Sequence, residues 1–124
     1  MTDINELAVQ FTNFYYKNFD TNRSQLASLY RPNSMLTFEN SQIQGTERII
    51  QKLMELPFVK VLHKIATIDA QPSMLSGGSI IVMVTGQLLV DEEQNPQQYS
   101  QTFHLIPEGN TFYVLNDIFR LNYS

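Results

Sequence analysis

The chain has 124 residues, which is the size of one domain, and we expect a single domain over residues 1–124. Apolar residues make up 43% of it and the formal net charge is −4, with eight scattered Lys and Arg residues; this composition excludes a disordered chain and disfavours nucleic acid as a partner. The sequence has no cysteine and no apolar run long enough to cross a bilayer, so we expect no disulfide, no thiolate metal site, no signal peptide and no membrane partner.

The first half of the chain predicts three helices and one hairpin. Apolar residues recur at intervals of three and four over residues 4–19, and Asp3 stands where a helix cap is expected. The same spacing continues briefly over 23–30, and a third helical pattern runs over 45–56. Between the second and third helices, residues 35–44 predict a small hairpin.

The second half predicts four strands, because the period of the apolar residues changes from about 3.6 to 2. Short turn sequences separate the strands, so we expect antiparallel neighbours. The predicted strands cover residues 61–71, 79–91, 98–106 and 111–121. Helices followed by strands in this order describe an α+β domain in which a curved sheet wraps over helices.

The strand predicted over residues 79–91 is apolar on both faces. Its even positions are almost all apolar, and its odd positions include Ile81, Met83 and Leu89. A strand with two apolar faces needs two covers, and the three helices supply only one. We therefore expect a second copy of the chain on the other face, which makes the protein a homodimer.

One acidic residue falls among apolar neighbours in the last predicted strand. Strict alternation places Asp117 on the same face as Tyr113, Leu115, Phe119 and Leu121. Burial of a carboxyl group raises its pKa, which suits a general base in an apolar pocket. The alternative is a carboxylate held by hydrogen bonds for structural reasons. These residues alone leave both interpretations open.

No other pattern in the sequence predicts a catalytic centre or a metal site. His63 and His104 have no carboxylate at ligand spacing, and there is no serine elbow and no glycine-rich phosphate loop. The acidic run 91–93 and Glu39 are, by themselves, typical of solvated charges at strand ends. We therefore expect no catalytic residue, no metal and no cofactor.

Many short motifs in one order give the chain an end-to-end resemblance to a known family. The motifs are FYY (14–16), FD (19–20), LTFE (36–39), QG (44–45), LPF (56–58), DAQP (69–72), GQL (86–88), DEE (91–93) and NDIFRL (116–121). Together they resemble the nuclear transport factor 2 family. The resemblance implies a cone-shaped α+β fold, in which a curved, mixed, mostly antiparallel sheet packs on three N-terminal helices around an apolar cavity open at one end.

The resemblance also implies a function. Members of the family are non-catalytic homodimeric carriers that bind the GDP form of Ran and the phenylalanine-rich repeats of nucleoporins, and that ferry Ran into the nucleus. The chain is then expected in the cytoplasm and the nucleus, enriched at the nuclear pore, where it supports protein import. An aromatic side chain from the switch II loop of Ran-GDP enters the cavity, while carboxylates around its mouth pair with basic residues of that loop.

Residue roles follow from the resemblance position by position. Glu39, Asp91 and Glu93 match the carboxylate rim; position 93 is often Asp in the family, so the charge is kept with a longer reach. Ile4 matches an early position of the first helix that is often aromatic in the family and binds nucleoporin repeats. Leu7 is the next candidate for repeat binding.

Four further positions match the cavity or its wall in the family, namely Phe38, Met83, Ile118 and Phe119. Phe38 stands where relatives carry Trp. The cavity of this chain is still expected to accept an aromatic side chain.

Two other functions stay open beside the carrier. The same fold resembles small isomerases and dehydratases, in which Asp117 would be the base, assisted by Tyr113 or His104. A module that only dimerises is the third alternative.

Overall fold

The computed structural model describes residues 3–56, 60–74, 77–91 and 95–122. Two α-helices, one 3₁₀ helix and six strands account for most of these residues. In chain order they are α1 (Ile4–Thr21), the 3₁₀ helix (Arg23–Leu29), β1 (Tyr30–Phe38), β2 (Ser41–Gln44), α2 (Thr46–Met54), β3 (Val61–Pro72), β4 (Ile80–Val90), β5 (Gln97–Glu108) and β6 (Thr111–Leu121). The helices and strands lie close to where the sequence predicts them.

Helix α1 begins at a capped residue and buries one face. The Asp3 carboxylate accepts hydrogen bonds from the backbone N–H groups of Asn5 and Glu6, at 2.9 and 3.4 Å, which pairs two donors that a helix start otherwise leaves open. The helix packs on the sheet, chiefly against β3. Its buried residues, spaced as predicted, are Ala8, Thr12, Tyr15, Tyr16 and Phe19.

The second predicted helix is a 3₁₀ helix. Leu26 and Leu29 are both buried, and a spacing of three residues puts both on one side of a helix that has three residues per turn. Asn22 caps it, because its side chain accepts a hydrogen bond from the backbone N–H of Ser24. Tyr30 already belongs to β1, so the predicted helix extends one residue too far.

The third predicted helix is α2. It begins after Gly45, whose φ of 96° is a conformation that residues with a side chain rarely adopt, and it ends at Met54. Ile49 and Leu53 face the core and are almost completely buried. Pro57, where the sequence predicts the end of this helix, lies outside the described residues.

The six strands form one mixed sheet in the order β2-β1-β6-β5-β4-β3. Strands β1 and β6 run parallel, and the other neighbouring pairs are antiparallel. The helices cover one face, which we call the inner face of the sheet; the opposite face is the outer face. The predicted fold class, an α+β domain with a mixed, mostly antiparallel sheet on three helices, is confirmed.

A bulge interrupts β6 where it pairs with β5. Leu105 pairs with Val114 and His104 pairs with Asn116, so Leu115 is an extra residue without a partner across the pair. Such an insertion shifts the alternation of every later residue to the opposite face.

The bulge changes which residues of β6 face the helices. Val114, Asp117 and Phe119 are buried on the inner face, whereas Tyr113 and Leu115 are only half-buried. The strict alternation predicted for this strand, with Tyr113, Leu115 and Asp117 on one face, is therefore wrong. The extra residue separates Tyr113 from Asp117.

Strand β4 has two apolar faces, as the sequence predicts. Val82 and Val84 are fully buried against the helices, while Ile81 and Met83 lie on the outer face and are 42% and 46% exposed. Large aliphatic side chains in the middle of a water-facing sheet are unusual, because each leaves apolar area in contact with solvent.

Candidate functional site

A small enclosed cavity lies between the helices and the inner face of the sheet. About 10 Å³ of it is open to the centre of a water molecule, which is room for about one water. Its wall is mostly aromatic and aliphatic, with three polar side chains, one each from α1, β3 and β5. The lining residues are Tyr15, Phe19, Leu36, Phe38, Leu53, His63, Leu88, Gln101 and Phe119.

Phe38 and Phe119 close one side of the cavity. Their rings are stacked, with centroids 4.7 Å apart and 7° between the planes, because the parallel pairing of β1 and β6 places the two residues in register. Phe119 also stacks on Tyr99 at 5.5 Å. The cavity must widen before it can admit a side chain larger than a water molecule, and Phe38 is the less buried of these two rings.

Glu39 stands directly beside this aromatic pair, at the end of β1. Its φ is 58°, and its backbone N–H donates a hydrogen bond to the carbonyl oxygen of Phe119 at 3.0 Å. One carboxylate oxygen accepts a hydrogen bond from the backbone N–H of Leu121, and the other lies 3.8 Å from the guanidinium of Arg120. The end of β6 thus fixes the position of the Glu39 carboxylate.

Asp91 lies at the same end of the sheet, where β4 ends and β3 begins. Its φ is 54°, its backbone N–H donates to the carbonyl oxygen of Lys60 at 2.6 Å, and its carboxylate accepts from the backbone N–H of Lys60 at 2.8 Å. Glu93, the third residue predicted for the rim, lies outside the described residues. We call Glu39 and Asp91 the carboxylate rim.

Two of the four predicted cavity residues lie elsewhere. Phe38 and Phe119 line the cavity, but Met83 and Ile118 are on the outer face, 46% and 51% exposed. Met83 alternates with inward-facing valines, and the bulge in β6 turns Ile118 outward. Both pair with Thr102, so the three form one row across the sheet. The prediction that Met83 and Ile118 line the cavity is wrong.

His63 contributes to the cavity wall, although no motif in the sequence assigns it a function. Its ring Nδ1 lies 2.7 Å from the Asp20 carboxylate, its backbone N–H donates to the same carboxylate at 3.0 Å, and its side chain is 2% exposed. The imidazole stacks on Tyr16, with centroids 4.2 Å apart. The signal in the sequence is that His63 lies at every second position with Val61 and Ile65, and therefore on the same inward-facing side of β3.

Asp117 lies deeper, behind the cavity wall, in a buried hydrogen-bond network. One carboxylate oxygen accepts from the Tyr30 hydroxyl at 2.8 Å and from the Tyr15 hydroxyl at 3.3 Å, and the other accepts from the side-chain amide of Gln101 at 2.8 Å. Burial raises the pKa of Asp117 to about 6, although the three hydrogen bonds lower it. This is the arrangement of a carboxylate held for structural reasons.

The two groups considered as helpers of an Asp117 base do not reach it. His104 is hydrogen-bonded to Ser73 at 2.9 Å and to Asn116 at 3.2 Å, away from the inner face. Tyr113 lies under the guanidinium of Arg31, 5.2 Å from it. Within the described part of the chain, no group of three or more His, Cys, Asp or Glu residues could hold a metal ion. No described helix is long and apolar enough to cross a membrane.

A second concave site lies along the outside of α1. It is a groove of about 490 Å³ between α1, the 3₁₀ helix and the β5–β6 turn, and we call it the α1 groove. Phe14 stands in it with half of its side chain exposed. None of its lining residues is charged: Leu7, Gln10, Phe11, Phe14, Ser28, Leu29, Leu105, Asn110, Thr111 and Phe112. Both residues predicted to bind repeats are partly buried and pack against the core, but Leu7 lines this groove and Ile4 is not among its lining residues.

A six-stranded mixed sheet with helices on one face and a mostly apolar pocket between them defines the chain as a small α+β domain with an internal cavity. A family model described as the nuclear transport factor 2 (NTF2) domain matches residues 7–121. The chain belongs to the nuclear transport factor 2 family.

Individual relatives agree with this assignment. Nuclear transport factor 2 of Saccharomyces cerevisiae is 64% identical over 122 residues, which cover 98% of this chain and 97% of that protein. The protein of the same name from Schizosaccharomyces pombe is 61% identical over the full length of both chains. The solved structure of nuclear transport factor 2 from Cryptosporidium parvum is 44% identical, with a TM-score of 0.88 over 95% of this chain and 94% of that one.

Proposed function

We propose that the chain is a single-domain, non-catalytic carrier of nuclear transport, which binds Ran in its GDP form and ferries it through the nuclear pore. The observation that carries the proposal is the aromatic cavity with the Glu39 carboxylate fixed beside it. The name shared by the relatives of the chain supports a role in nuclear transport. Such a carrier works in the cytoplasm and the nucleus, is enriched at the pore and supports protein import.

The cavity would receive an aromatic side chain from the switch II loop of Ran-GDP. An inserted phenyl ring buries about 150 Å², which is worth roughly 4 kcal/mol at 25 cal/mol per Å². Separating the stacked rings of Phe38 and Phe119 costs about 1 kcal/mol of aromatic pairing. The free energy gained by burying the ring therefore outweighs the cost of opening the cavity. The loss of mobility on association reduces this net gain further, which suits a partner that must be released.

The carboxylate rim would pair with basic residues beside that aromatic side chain. Glu39 is oriented in advance by the backbone N–H of Leu121, so little side-chain freedom is lost on binding. Arg120, 3.8 Å from Glu39, is more than half exposed and can turn away when a cation of the partner arrives. We assign Glu93 to the same rim with Asp91 through the family resemblance.

Reversing the charge of Glu39 tests the Ran site. Glu39→Lys should abolish binding of Ran-GDP in a calorimetric titration, because truncating one partner of a buried interfacial pair already costs about 2–5 kcal/mol and reversal adds repulsion. Glu47→Lys is the matched control, because Glu47 is exposed in the first turn of α2. Gly45, two residues before it, donates a backbone hydrogen bond to Ser34, at the far end of the β1–β2 hairpin from Glu39. Equal affinities of the two variants would refute the site.

The α1 groove would bind the phenylalanine-rich repeats of nucleoporins. Its walls carry aromatic and aliphatic side chains, and its polar residues are amides and hydroxyls without charge. Such a lining suits uncharged peptide segments in which a phenyl ring fills the groove and the peptide backbone bonds to Gln10 or Asn110. We assign Leu7 to this contact and keep Ile4 as a neighbour that supports it.

The outer face of the sheet would hold the second subunit of a homodimer. Ile81, Met83 and Ile118 are exposed there, in the middle of the sheet rather than at its edge. A second copy would remove this apolar surface from water, which is the main driving force for permanent association.

Catalysis has no comparable support. Both oxygens of the Asp117 carboxylate are occupied by Tyr15, Tyr30 and Gln101, and the cavity has room for about one water molecule. A general base must lie within hydrogen-bonding distance of the proton that it removes. The chain is therefore proposed to work by binding alone, without a cofactor or metal.

A further inference from the structure

Asp117 holds two side chains of the cavity wall. Its three hydrogen-bond partners come from three different elements: Tyr15 from α1, Tyr30 from β1 and Gln101 from β5. Tyr15 and Gln101 line the cavity, whereas Tyr30 does not. The carboxylate thus connects two of the three polar side chains that an inserted side chain would meet, without lining the cavity itself.

We propose that Asp117 is a positioning residue for the cavity, a role that rests on the proposed insertion of an aromatic side chain. Asp117 fixes the side chains of Tyr15 and Gln101, and through them the shape of the wall that the inserted ring contacts. Partner binding then depends on a residue that the partner never reaches. This role goes beyond the rim and the aromatic lining.

The hydrogen-bond network determines the orientation of the Gln101 side-chain amide. Its amide nitrogen donates to Asp117 at 2.8 Å, and its amide oxygen accepts from the Tyr16 hydroxyl at 2.8 Å. A buried donor without an acceptor costs about 1–3 kcal/mol. If the side chain at 117 could not accept, the Gln101 amide would turn toward the cavity to find another partner, and it would occupy space needed by the inserted ring.

Tyr15 is fixed in the same way. Its hydroxyl lies 2.6 Å from the Tyr30 hydroxyl and 3.3 Å from the Asp117 carboxylate, so three oxygens form a triangle. Burial raises the pKa of both tyrosine hydroxyls, which keeps them protonated. A proton on Asp117 would give each oxygen of the triangle one hydrogen to donate and one to accept. The wall should therefore keep its shape whether Asp117 is charged or neutral.

The groups around Asp117 support this independence from charge. On α1 the facing titratable groups are Tyr15 and Tyr16, and on β1 the facing group is Tyr30; the partner on β5, Gln101, does not titrate. His63 of β3 stacks on the far side of Tyr16. Among the described residues, no Lys, Arg or His is within hydrogen-bonding distance of the carboxylate.

Three variants separate positioning from a general structural role. Asp117→Leu removes every acceptor, and we expect an affinity for Ran-GDP about tenfold weaker, since side chains that support a site change its affinity on that scale. Asp117→Asn keeps the shape and, after Gln101 flips its amide, keeps the hydrogen bonds, so it should bind within about twofold of the wild type. Tyr30→Phe removes a bond to Asp117 from outside the cavity and should also bind within about twofold.

The pH profile of binding tests whether the cavity wall responds to the charge on Asp117. The ratio of wild-type to Asp117→Asn affinity should stay constant within about twofold from pH 5 to 7.5, because neutralising Asp117 leaves the wall unchanged. An affinity of Asp117→Leu equal to that of the wild type would overturn the proposal. So would a loss at Tyr30→Phe as large as that at Asp117→Leu. If Asp117→Leu does not fold, Asp117→Ala, which also removes every acceptor, takes its place with the same expected loss and the same contradicting result.

A readout without Ran separates this proposal from the proposed function. In ¹⁵N relaxation experiments the side-chain amide of Gln101 should have a high order parameter in the wild type and in Asp117→Asn, and a clearly lower one in Asp117→Leu. Failure of the wild type to bind Ran-GDP would refute the carrier function. The order parameter of Gln101 would still test whether Asp117 positions the cavity wall. A rigid Gln101 in Asp117→Leu would overturn the positioning role.

Discussion

Phe38 and Phe119 stack face to face across the parallel pair of strands β1 and β6, with ring centroids 4.7 Å apart. Their environments differ. Phe119 is almost completely buried and stacks on Tyr99 as well, while Phe38 is only half-buried. We expect Phe119 to belong to the core and Phe38 to be the ring that moves when the cavity opens.

Truncation of the two rings should therefore cost different amounts of stability. Phe119→Ala should lower the free energy of unfolding by about 3–5 kcal/mol, as for other buried phenylalanines, whereas Phe38→Ala should cost about half of that because less of its area is buried. Urea denaturation of both variants measures the difference. Equal losses would mean that Phe38 is as much a part of the core as Phe119.

Asp117 should make stability depend on pH. Burial raises its pKa from 3.8 to about 6, so between these values the folded chain binds more protons than the unfolded one, and stability falls as pH rises from about 4 to about 6. The shift of about two units corresponds to roughly 3 kcal/mol. At pH 7 the free energy of unfolding of Asp117→Asn should exceed that of the wild type by about this amount. Near pH 4 the two free energies of unfolding should be equal.

Urea denaturation at several pH values between 4 and 8 tests this expectation. Asp69→Asn, on the exposed side of β3, controls for the loss of one negative charge from an acidic protein. A constant difference between wild type and Asp117→Asn over the whole range would show that Asp117 does not titrate with a raised pKa.

Met83 offers a direct test of the proposed dimer. Met83→Glu places a charge in the exposed apolar patch of the outer face, and desolvating it would cost several kcal/mol at an interface. Sedimentation equilibrium should find a monomer. Met54→Glu is the control, since Met54 is similarly exposed, at 53% against 46% for Met83, but lies on α2; this variant should keep the wild-type mass. A dimeric Met83→Glu would place the second subunit elsewhere.

Leu7 should be needed for repeat binding and dispensable for Ran. Leu7→Asp puts a charge into an uncharged groove, so affinity for a peptide with phenylalanine-glycine repeats should fall about tenfold or more. Binding of Ran-GDP should stay unchanged, because the carboxylate rim lies at the ends of β1 and β4. Fluorescence anisotropy with a labelled repeat peptide measures the affinity for repeats, and calorimetry measures the affinity for Ran-GDP. Unchanged peptide affinity would remove Leu7 from the site.

Most of the fold follows from local sequence patterns. The apolar spacing of residues 4–19 and the Asp3 cap predict α1, and the change to a period of two predicts β3 to β6. The two apolar faces of β4 are also visible in the sequence. What the sequence does not reveal is which distant strands pair: the parallel contact between β1 and β6 joins segments about 80 residues apart, and no local pattern encodes it.

The candidate site was harder to predict, because one inserted residue decides which side chains face the cavity. Leu115 looks like an ordinary strand residue, yet its place in a bulge moves Ile118 to the outer face and separates Tyr113 from Asp117. His63 shares the inward-facing phase of Val61 and Ile65 in the sequence, but this phase alone indicates burial and does not reveal the contact with Asp20. The rim carboxylate Glu39 was identified through the family resemblance and not through its own sequence context.

The nucleotide state of Ran gives the most direct test of the carrier. Nucleotide exchange rearranges the switch II loop, so a cavity that takes an aromatic residue from that loop should distinguish the two states. Titration of the wild-type protein with Ran-GDP and with Ran loaded with a non-hydrolysable GTP analogue should show micromolar affinity for the first and at least about a hundredfold weaker binding for the second. Equal affinity for both states, or no binding of Ran-GDP, would contradict the proposed function.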